Sequence, residues 1–265
     1  MKVSAFAKVN LTLEVLGTRP DGFHELRSVV RAVSLADDLD VESSGDGVVE
    51  SDTGYGDADL AVRAAKALRA ALGPGAARLG ARIRVVKRIP AGGGLGGGSA
   101  DAAATLLALN RLWNAGKAPE ELAAVGAAVG SDVPALVLAH AFRAPILMEG
   151  RGERVRVLPA DGDSRTLVLV HPGVASSTAE VYARCVPRTE PANGAVNDLQ
   201  APACSLHPEI ATAMAALVAA GAADVMMSGS GSVVYGFAQT APEAESIAAR
   251  MRAVGCRAWT ATFVR

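Results

Sequence analysis

The chain has 265 residues, a formal net charge of −1, half of its residues apolar and only 4% aromatic. That length can bury a sizeable core in one large or two small domains, and a near-neutral chain carries no electrostatic footprint for nucleic acid. Three scattered cysteines with no C-x-x-C pair argue against a zinc site or a disulfide framework, and without a signal peptide or a long uncharged apolar run the expectation is a reduced, soluble, cytoplasmic protein with no membrane partner.

In chain order, Val9, Leu11, Leu13 and Val15 alternate with Asn10, Thr12 and Glu14, the period of a half-buried strand. Residues 58–72 carry helical apolar spacing, with Asp57 as the expected N-cap and Gly73 just past the end. A strand-like run, 81–87, leads into a glycine-rich segment and an alanine- and leucine-rich helix ending near Trp113. A helix over 119–129 follows, with proline at its first position, and Ser131-Asp132-Val133-Pro134 opens another.

The pattern then changes. A strand over 167–170, a helix near 178–185, a loop rich in proline and asparagine, and a helix after His207-Pro208 precede strands at 223–227 and 232–237. Thr240, with Glu243 at N3, caps a further helix, and a last strand runs through Trp259, Ala261 and Phe263. With the helix near 178–185 set aside, this is β-α-β-β-α-β, a split βαβ arrangement. The expected domains are 1–158 and 159–265, in an α+β fold.

Six glycines in the seven positions from 92 to 98 sit between the strand-like run and the helix. Ordered glycine costs backbone entropy, so such density marks positive φ angles or a very close approach. Ahead of a helix N-terminus, where free amides and the positive dipole end converge, the ligand that suits it is a phosphate. A flexible strand-to-helix turn would need only two or three glycines. The Walker pattern is absent, because Gly116-Lys117 continues with Ala118. A dinucleotide fingerprint fits Gly92, Gly94 and Gly97, but the acidic strand end it requires is replaced by the helix start at 118–125.

Three segments resemble the signature motifs of the GHMP kinases, a superfamily that includes galactokinase, homoserine kinase and mevalonate kinase. They are Ala7-Lys8-Val9-Asn10-Leu11-Thr12-Leu13, the run from Pro90 to Asp101, and Ser228-Gly229-Ser230-Gly231-Ser232. Further segments resemble the branch that phosphorylates a cytidine-diphosphate sugar alcohol in isoprenoid precursor synthesis: 17–26, 130–134, 150–153, His171-Pro172-Gly173-Val174 and Asn197-Asp198-Leu199. The resemblance runs through nearly the whole chain. Phe6, where that family usually has proline, and Phe23, often tyrosine there, are departures.

The resemblance implies a two-domain GHMP kinase fold: an N-terminal ribosomal-S5-domain-2-like nucleotide domain and a C-terminal ferredoxin-like split βαβ domain. It also implies ATP and Mg²⁺ as cofactors, and a small-molecule acceptor bound by a monomer or weak homodimer. The phosphates would lie on Pro90, Ala91, Gly92, Gly93, Gly94, Leu95, Gly96, Gly97, Gly98, Ser99 and Ala100. Ser99 is also a candidate N-cap, and Asp101 reads as a dipole partner. No clustered carboxylates mark a metal site.

Asp132 sits in a polar break between apolar segments, where a carboxylate can accept a hydroxyl proton; alone it reads equally as a helix-start aspartate. Lys8 is one of only five lysines and lies in an otherwise apolar strand edge, where a solvent-facing role is the plain reading. The resemblance makes Asp132 the general base and Lys8 its charge partner at the transferred phosphoryl group. For the acceptor it implies stacking of cytosine by Phe23 and Tyr182 and hydrogen bonding by His24. Asn10 would serve the sugar-phosphate side, with Ser230 and Gly231 close to the acceptor. His140, His171 and His207 read as structural. Another GHMP kinase, of homoserine or mevalonate type, and a non-catalytic nucleotide-binding module are the alternatives.

Overall fold

Two long strands, β1 (Lys2–Thr18) and β2 (His24–Ser44), pair antiparallel along nearly their whole length and form the spine of the first sheet. The computed structural model describes residues 1–160, 162–190, 192, 194 and 196–265. The other strands of this sheet are β3 (Val49–Ser51), β4 (Gly80–Val86), β5 (Ile146–Gly150) and β6 (Arg154–Val157). The first half of β2 pairs with β5 and the second half with β4, giving the order β3-β4-β2-β5-β6 with β1 against β2.

Three helices pack with this sheet, α1 (Leu60–Ala71), α2 (Gly97–Leu112) and α4 (Val133–Phe142), and α3 (Pro119–Gly126) packs on all three of them. Helix α2 packs on β1 and β2 with α1 and α4 beside it. Buried alanines at 100, 102, 103, 104 and 108 permit that close approach. The same helix begins at the glycine segment, so the core holds the proposed phosphate site in place.

The second sheet is antiparallel, in the order β10-β7-β9-β8, from β7 (Thr166–His171), β8 (Ala223–Met227), β9 (Val234–Ala238) and β10 (Arg257–Thr262). With α7 (Pro208–Ala219) and α8 (Ala241–Ala253) as the two crossovers, this is the split βαβ arrangement expected from the sequence. Two extra helices, α5 (Thr178–Ala183) and α6 (Gln200–Leu206), lie between β7 and α7.

The two sheets share contacts. Leu13 bridges to Asn197, its amide donates to Val196 O at 2.7 Å, and the amide of Val264 donates to Ala32 O at 3.0 Å. Among the described residues, no helix is long and apolar enough to cross a membrane.

Several expectations need correction. Asp57 does not cap α1; it lies in a short 3-10 turn, and Asp59 caps instead, accepting from the amide of Ala61 at 2.8 Å. Ser99 is the third residue of α2, whose N-cap is Gly96 in the left-handed region. Helix α3 ends at Gly126, three residues short of 129. The alternation along β1 is interrupted by bulges, and Asn10 and Glu14 are buried despite their polarity. Strands β2, β3, β5 and β6 and helix α6 were not anticipated. The central strand β2 carries Arg31, Asp37, Asp38 and Asp40 among its apolar residues, which obscures a period of two.

Candidate functional site

A cavity of about 1140 Å³ opens between the two sheets, lined from the middle of β1, the glycine segment, the start of α4, helix α5 and the 228–232 turn. Lys8 lies on its floor, buried. Its ammonium donates to Oδ1 of Asn10 at 2.5 Å and stands 3.7 Å from Oδ2 of Asp132. Lys8 and Asn10 are two residues apart on one strand, so both side chains project to the same face. Asn10 passes the chain of bonds on, its amide donating to Ser28 Oγ at 2.8 Å, and Ser28 donates to Thr12 O at 2.5 Å.

Asp132 is the N-cap residue of α4, yet its carboxylate makes no capping hydrogen bond. It is about one-third exposed, at 33%, and faces the cavity. An N-cap aspartate normally spends its oxygen on the helix amides, so this carboxylate remains available for another proton.

The glycine segment is held by its carbonyls. Gly92 O accepts from Ser176 N at 3.2 Å, Gly93 O from Val233 N at 3.1 Å, and Gly94 O from Ser228 Oγ at 3.0 Å. Leu95 O accepts from Lys8 N at 3.0 Å and Gly96 O from Ala100 N at 2.8 Å. Gly92, Gly94 and Gly96 all have positive φ, between 65° and 74°. With the carbonyls turned into the protein, none of the amides from Gly92 to Gly98 donates to a carbonyl among the described residues. Free amides at a helix N-terminus suit an anion.

Beneath this segment, Asp37 accepts from the amides of Arg88 and Ile89, the latter at 2.8 Å. Lys87 Nζ bridges Oδ2 of Asp37 at 2.5 Å and Oδ2 of Asp101 at 2.6 Å. Burial pushes the Asp101 carboxyl up to about 7, against the pull of the Lys87 ammonium, and its Oδ1 is buried without a hydrogen-bond partner. Burial works against the Lys87 charge, but the two aspartates outweigh it and raise its pKa.

At the other end lie Phe23, His24 and Tyr182. Phe23 is half exposed, presented by a turn in which its amide donates to Asp21 Oδ1 at 3.2 Å, and the Arg151 guanidinium stands 5.2 Å from its ring centroid. The His24 and Tyr182 rings stack, with centroids 4.9 Å apart and 33° between planes. Burial, then the charge of Asp132, raises the pKa of the Tyr182 phenol, which keeps it protonated.

The 228–232 turn packs onto the glycine segment. A Cβ on Gly94 would lie 2.1 Å from Ser228 O, and one on Gly229 3.1 Å from Lys8 Nζ. Asn197 secures the turn, its Nδ2 donating to Met227 O and Gly229 O at 2.8 Å each. The Ser230 hydroxyl is shared with Thr178 Oγ1 at 2.8 Å.

Lys8, Asn10, Phe23, His24, Asp132, Tyr182, Ser230, Gly231 and positions 90–99 all line this one cavity. Ala100 does not: it is fully buried in the core, because its place in the first turn of α2 faces the sheet. His140 Nε2 donates to Phe6 O at 3.0 Å, and the His171 ring accepts from the amide of Gly173, so both serve the fold. Sequence reasoning missed Thr53, Tyr55, Leu60, Lys87 and Arg151 as lining residues. Of these, Lys87 had the clearest signal, as a rare lysine at the mouth of the glycine run. Among the described residues, no group of three or more His, Cys, Asp or Glu could hold a metal ion.

The GHMP kinases N terminal domain profile matches residues 59–140 and the GHMP kinases C terminal profile residues 189–255, together more than half of the chain. A 4-diphosphocytidyl-2-C-methyl-D-erythritol kinase of Aromatoleum aromaticum is 43% identical, over 97% of this chain and 91% of the relative. One of Pelotomaculum thermopropionicum is 39% identical over 94% and 92%. The crystal structure of a 4-(cytidine 5'-diphospho)-2C-methyl-D-erythritol kinase, 36% identical, superposes over the full length of both chains with a TM-score of 0.86. A mevalonate kinase of Methanococcus jannaschii, at 13% identity and a TM-score of 0.71, shares the fold. The chain belongs to the GHMP kinases and, within them, to the 4-diphosphocytidyl-2-C-methyl-D-erythritol kinase family.

Proposed function

We infer that this chain transfers the γ-phosphoryl group of ATP to the 2-hydroxyl of 4-diphosphocytidyl-2-C-methyl-D-erythritol, a step of non-mevalonate isoprenoid precursor synthesis. The observation that carries this reading is one cavity with the Lys8–Asp132 pair between a glycine segment of free amides and an end lined by Phe23, His24 and Tyr182. The kinship with kinases of that name supports the acceptor.

Asp132 accepts the proton of the attacking hydroxyl as its oxygen bonds to the γ-phosphorus and the bond to the bridging oxygen of ADP breaks. Lys8, buried and fixed by Asn10, steadies the carboxylate and the negative charge on the transferring group. Asn10 thus serves the reaction through Lys8, because its side chain is already committed to Lys8 and Ser28. The amides of the glycine segment hold the phosphates, and Phe23, His24 and Tyr182 hold the cytosine.

Mg²⁺, when bound, screens the phosphate charges. This chain offers no carboxylate cage for it among the described residues. Mg²⁺ commonly keeps its waters and binds mainly through substrate phosphates, and the donor set fits a metal that arrives with the nucleotide. We also propose domains at 1–158 and 159–265, supported by the change of sheet between Val157 and Thr166, and a cytoplasmic monomer or weak homodimer.

The test is a coupled ADP-release assay across acceptors. ADP should form with the cytidylated sugar alcohol and not with free methylerythritol phosphate, homoserine or mevalonate. Comparable rates with any of these would contradict the acceptor assignment.

A further inference from the structure

The start of α2 gives the bound nucleotide a direction. A Cβ on Gly96 would come 3.3 Å from Lys8 Cγ, one on Gly97 3.1 Å from Ile89 Cγ2, and one on Gly98 3.3 Å from Leu60 Cδ1. Within three residues the surface passes from the Lys8–Asp132 pair to the first residue of α1. The transferring end of the donor belongs beside Lys8, so the nucleoside runs past Gly97 and Gly98 toward Leu60. The cavity continues there onto Thr53, Tyr55, Ala58 and Asp59.

Tyr55 stands at this rim with 72% of its surface exposed, while of the other two tyrosines Tyr182 is partly buried and Tyr235 fully buried. Its loop is fastened rather than loose. Asp59 Oδ2 accepts from Ser51 Oγ at 2.6 Å and Thr53 Oγ1 at 2.5 Å, while Oδ1 caps α1. Gly54 and Gly56 flank Tyr55, both at positive φ (81° and 53°), and leave open space on either side of the ring's attachment. A large aromatic face kept in water at the lip of a cavity has no packing role to explain it.

We propose that Tyr55 is the stacking platform for the purine base of the donor nucleotide. The inference rests on the ATP reading above and adds to it the residue that meets the base. Stacking is tolerant of base identity because every base has a π-face; Tyr55 therefore supplies affinity rather than choice between purines.

Calorimetric titration of ADP and of inorganic tripolyphosphate into the wild-type, Tyr55→Ala and Tyr55→Phe chains tests this without an acceptor. Tyr55→Ala should weaken ADP about tenfold, a loss typical of one base–aromatic stack. Tyr55→Phe should stay within about twofold of wild type, because the ring is retained. Tripolyphosphate, which has no base, should bind all three chains alike. Unchanged ADP affinity in Tyr55→Ala, or an equal loss of tripolyphosphate, would overturn the proposal. A wild-type chain that binds no ADP would overturn the ATP reading itself and this inference with it.

Discussion

The Lys8 ammonium and the Asp132 carboxylate stand 3.7 Å apart, one buried at 4% exposure and the other open to the cavity at 33%. The asymmetry suits their proposed tasks: the cation is a fixed charge, and the carboxylate must reach a substrate hydroxyl. Lys8→Met should lower kcat by about 10²–10³, the scale of losing one preorganised charge partner. Asn10→Ala should also lower kcat, by about tenfold or more, because a hydrogen bond to a charged group is lost. Steady-state kinetics decide the matter, since a change in KM alone for both variants would assign them to substrate binding.

Gly94 has a second duty besides its proposed contact with the phosphates. At φ +74°, a Cβ there would lie 2.1 Å from the carbonyl oxygen of Ser228, so the contact between the two sheets' loops depends on a bare backbone. Gly94→Val should therefore cost about 2 kcal/mol or more of stability in urea unfolding as well as ATP affinity. Gly96→Ala, whose Cβ would meet side-chain atoms only, Lys8 Cγ at 3.3 Å and Leu136 Cδ1 at 3.4 Å, should cost less stability and more turnover. Equal stability of the Gly94→Val and wild-type chains would rule out this close approach.

At the acceptor end, Tyr182→Ala should raise the acceptor KM about tenfold or more, with the ATP KM unchanged. His24→Ala should narrow the preference for a cytidine over a uridine diphosphate acceptor, because an unpaired hydrogen-bonding edge costs more than lost area. With their rings 4.9 Å apart, the two changes should be non-additive in a double-mutant cycle. Additive effects would separate the two side chains.

Asp101 carries a stability signature with pH. Its carboxyl is raised to about 7 by burial, against about 3.9 in an unfolded chain. Between these values the folded state binds the extra proton, so this group's contribution favours folding below about pH 4 and fades as the pH climbs to about 7. Asp101→Asn should flatten that decline, leaving the variant relatively more stable at pH 8 than at pH 4 when each is compared with wild type. Parallel stability profiles for the two chains across this range would contradict the assignment.

Much of this was legible in the sequence because the informative residues are local. The glycine density at 92–98, the caps at Thr240 and the apolar strands of the second sheet depend on near neighbours, and each stands where its pattern indicates. Strand β2 was not legible: its polar residues pair with distant partners, as Asp37 does with Lys87, so no short-range period betrays it. The cap of α1 shifted from Asp57 to Asp59 because Ser51 and Thr53 share the capping carboxylate. Ala100 turned from cavity to core because the helix begins at Gly97, ahead of the start that a cap at Ser99 would set. Tyr55 and Arg151 reach the cavity only through tertiary structure.

The measurement that bears most directly on the account is turnover of Asp132→Asn with the cytidylated acceptor, alongside equilibrium binding of both substrates. Asn keeps the shape and loses the base, so affinities should hold while turnover falls by about 10²–10⁴. Turnover near that of wild type, or a fall matched by an equal loss of binding, would remove Asp132 from the proton transfer and leave the Lys8–Asp132 pair without its proposed role.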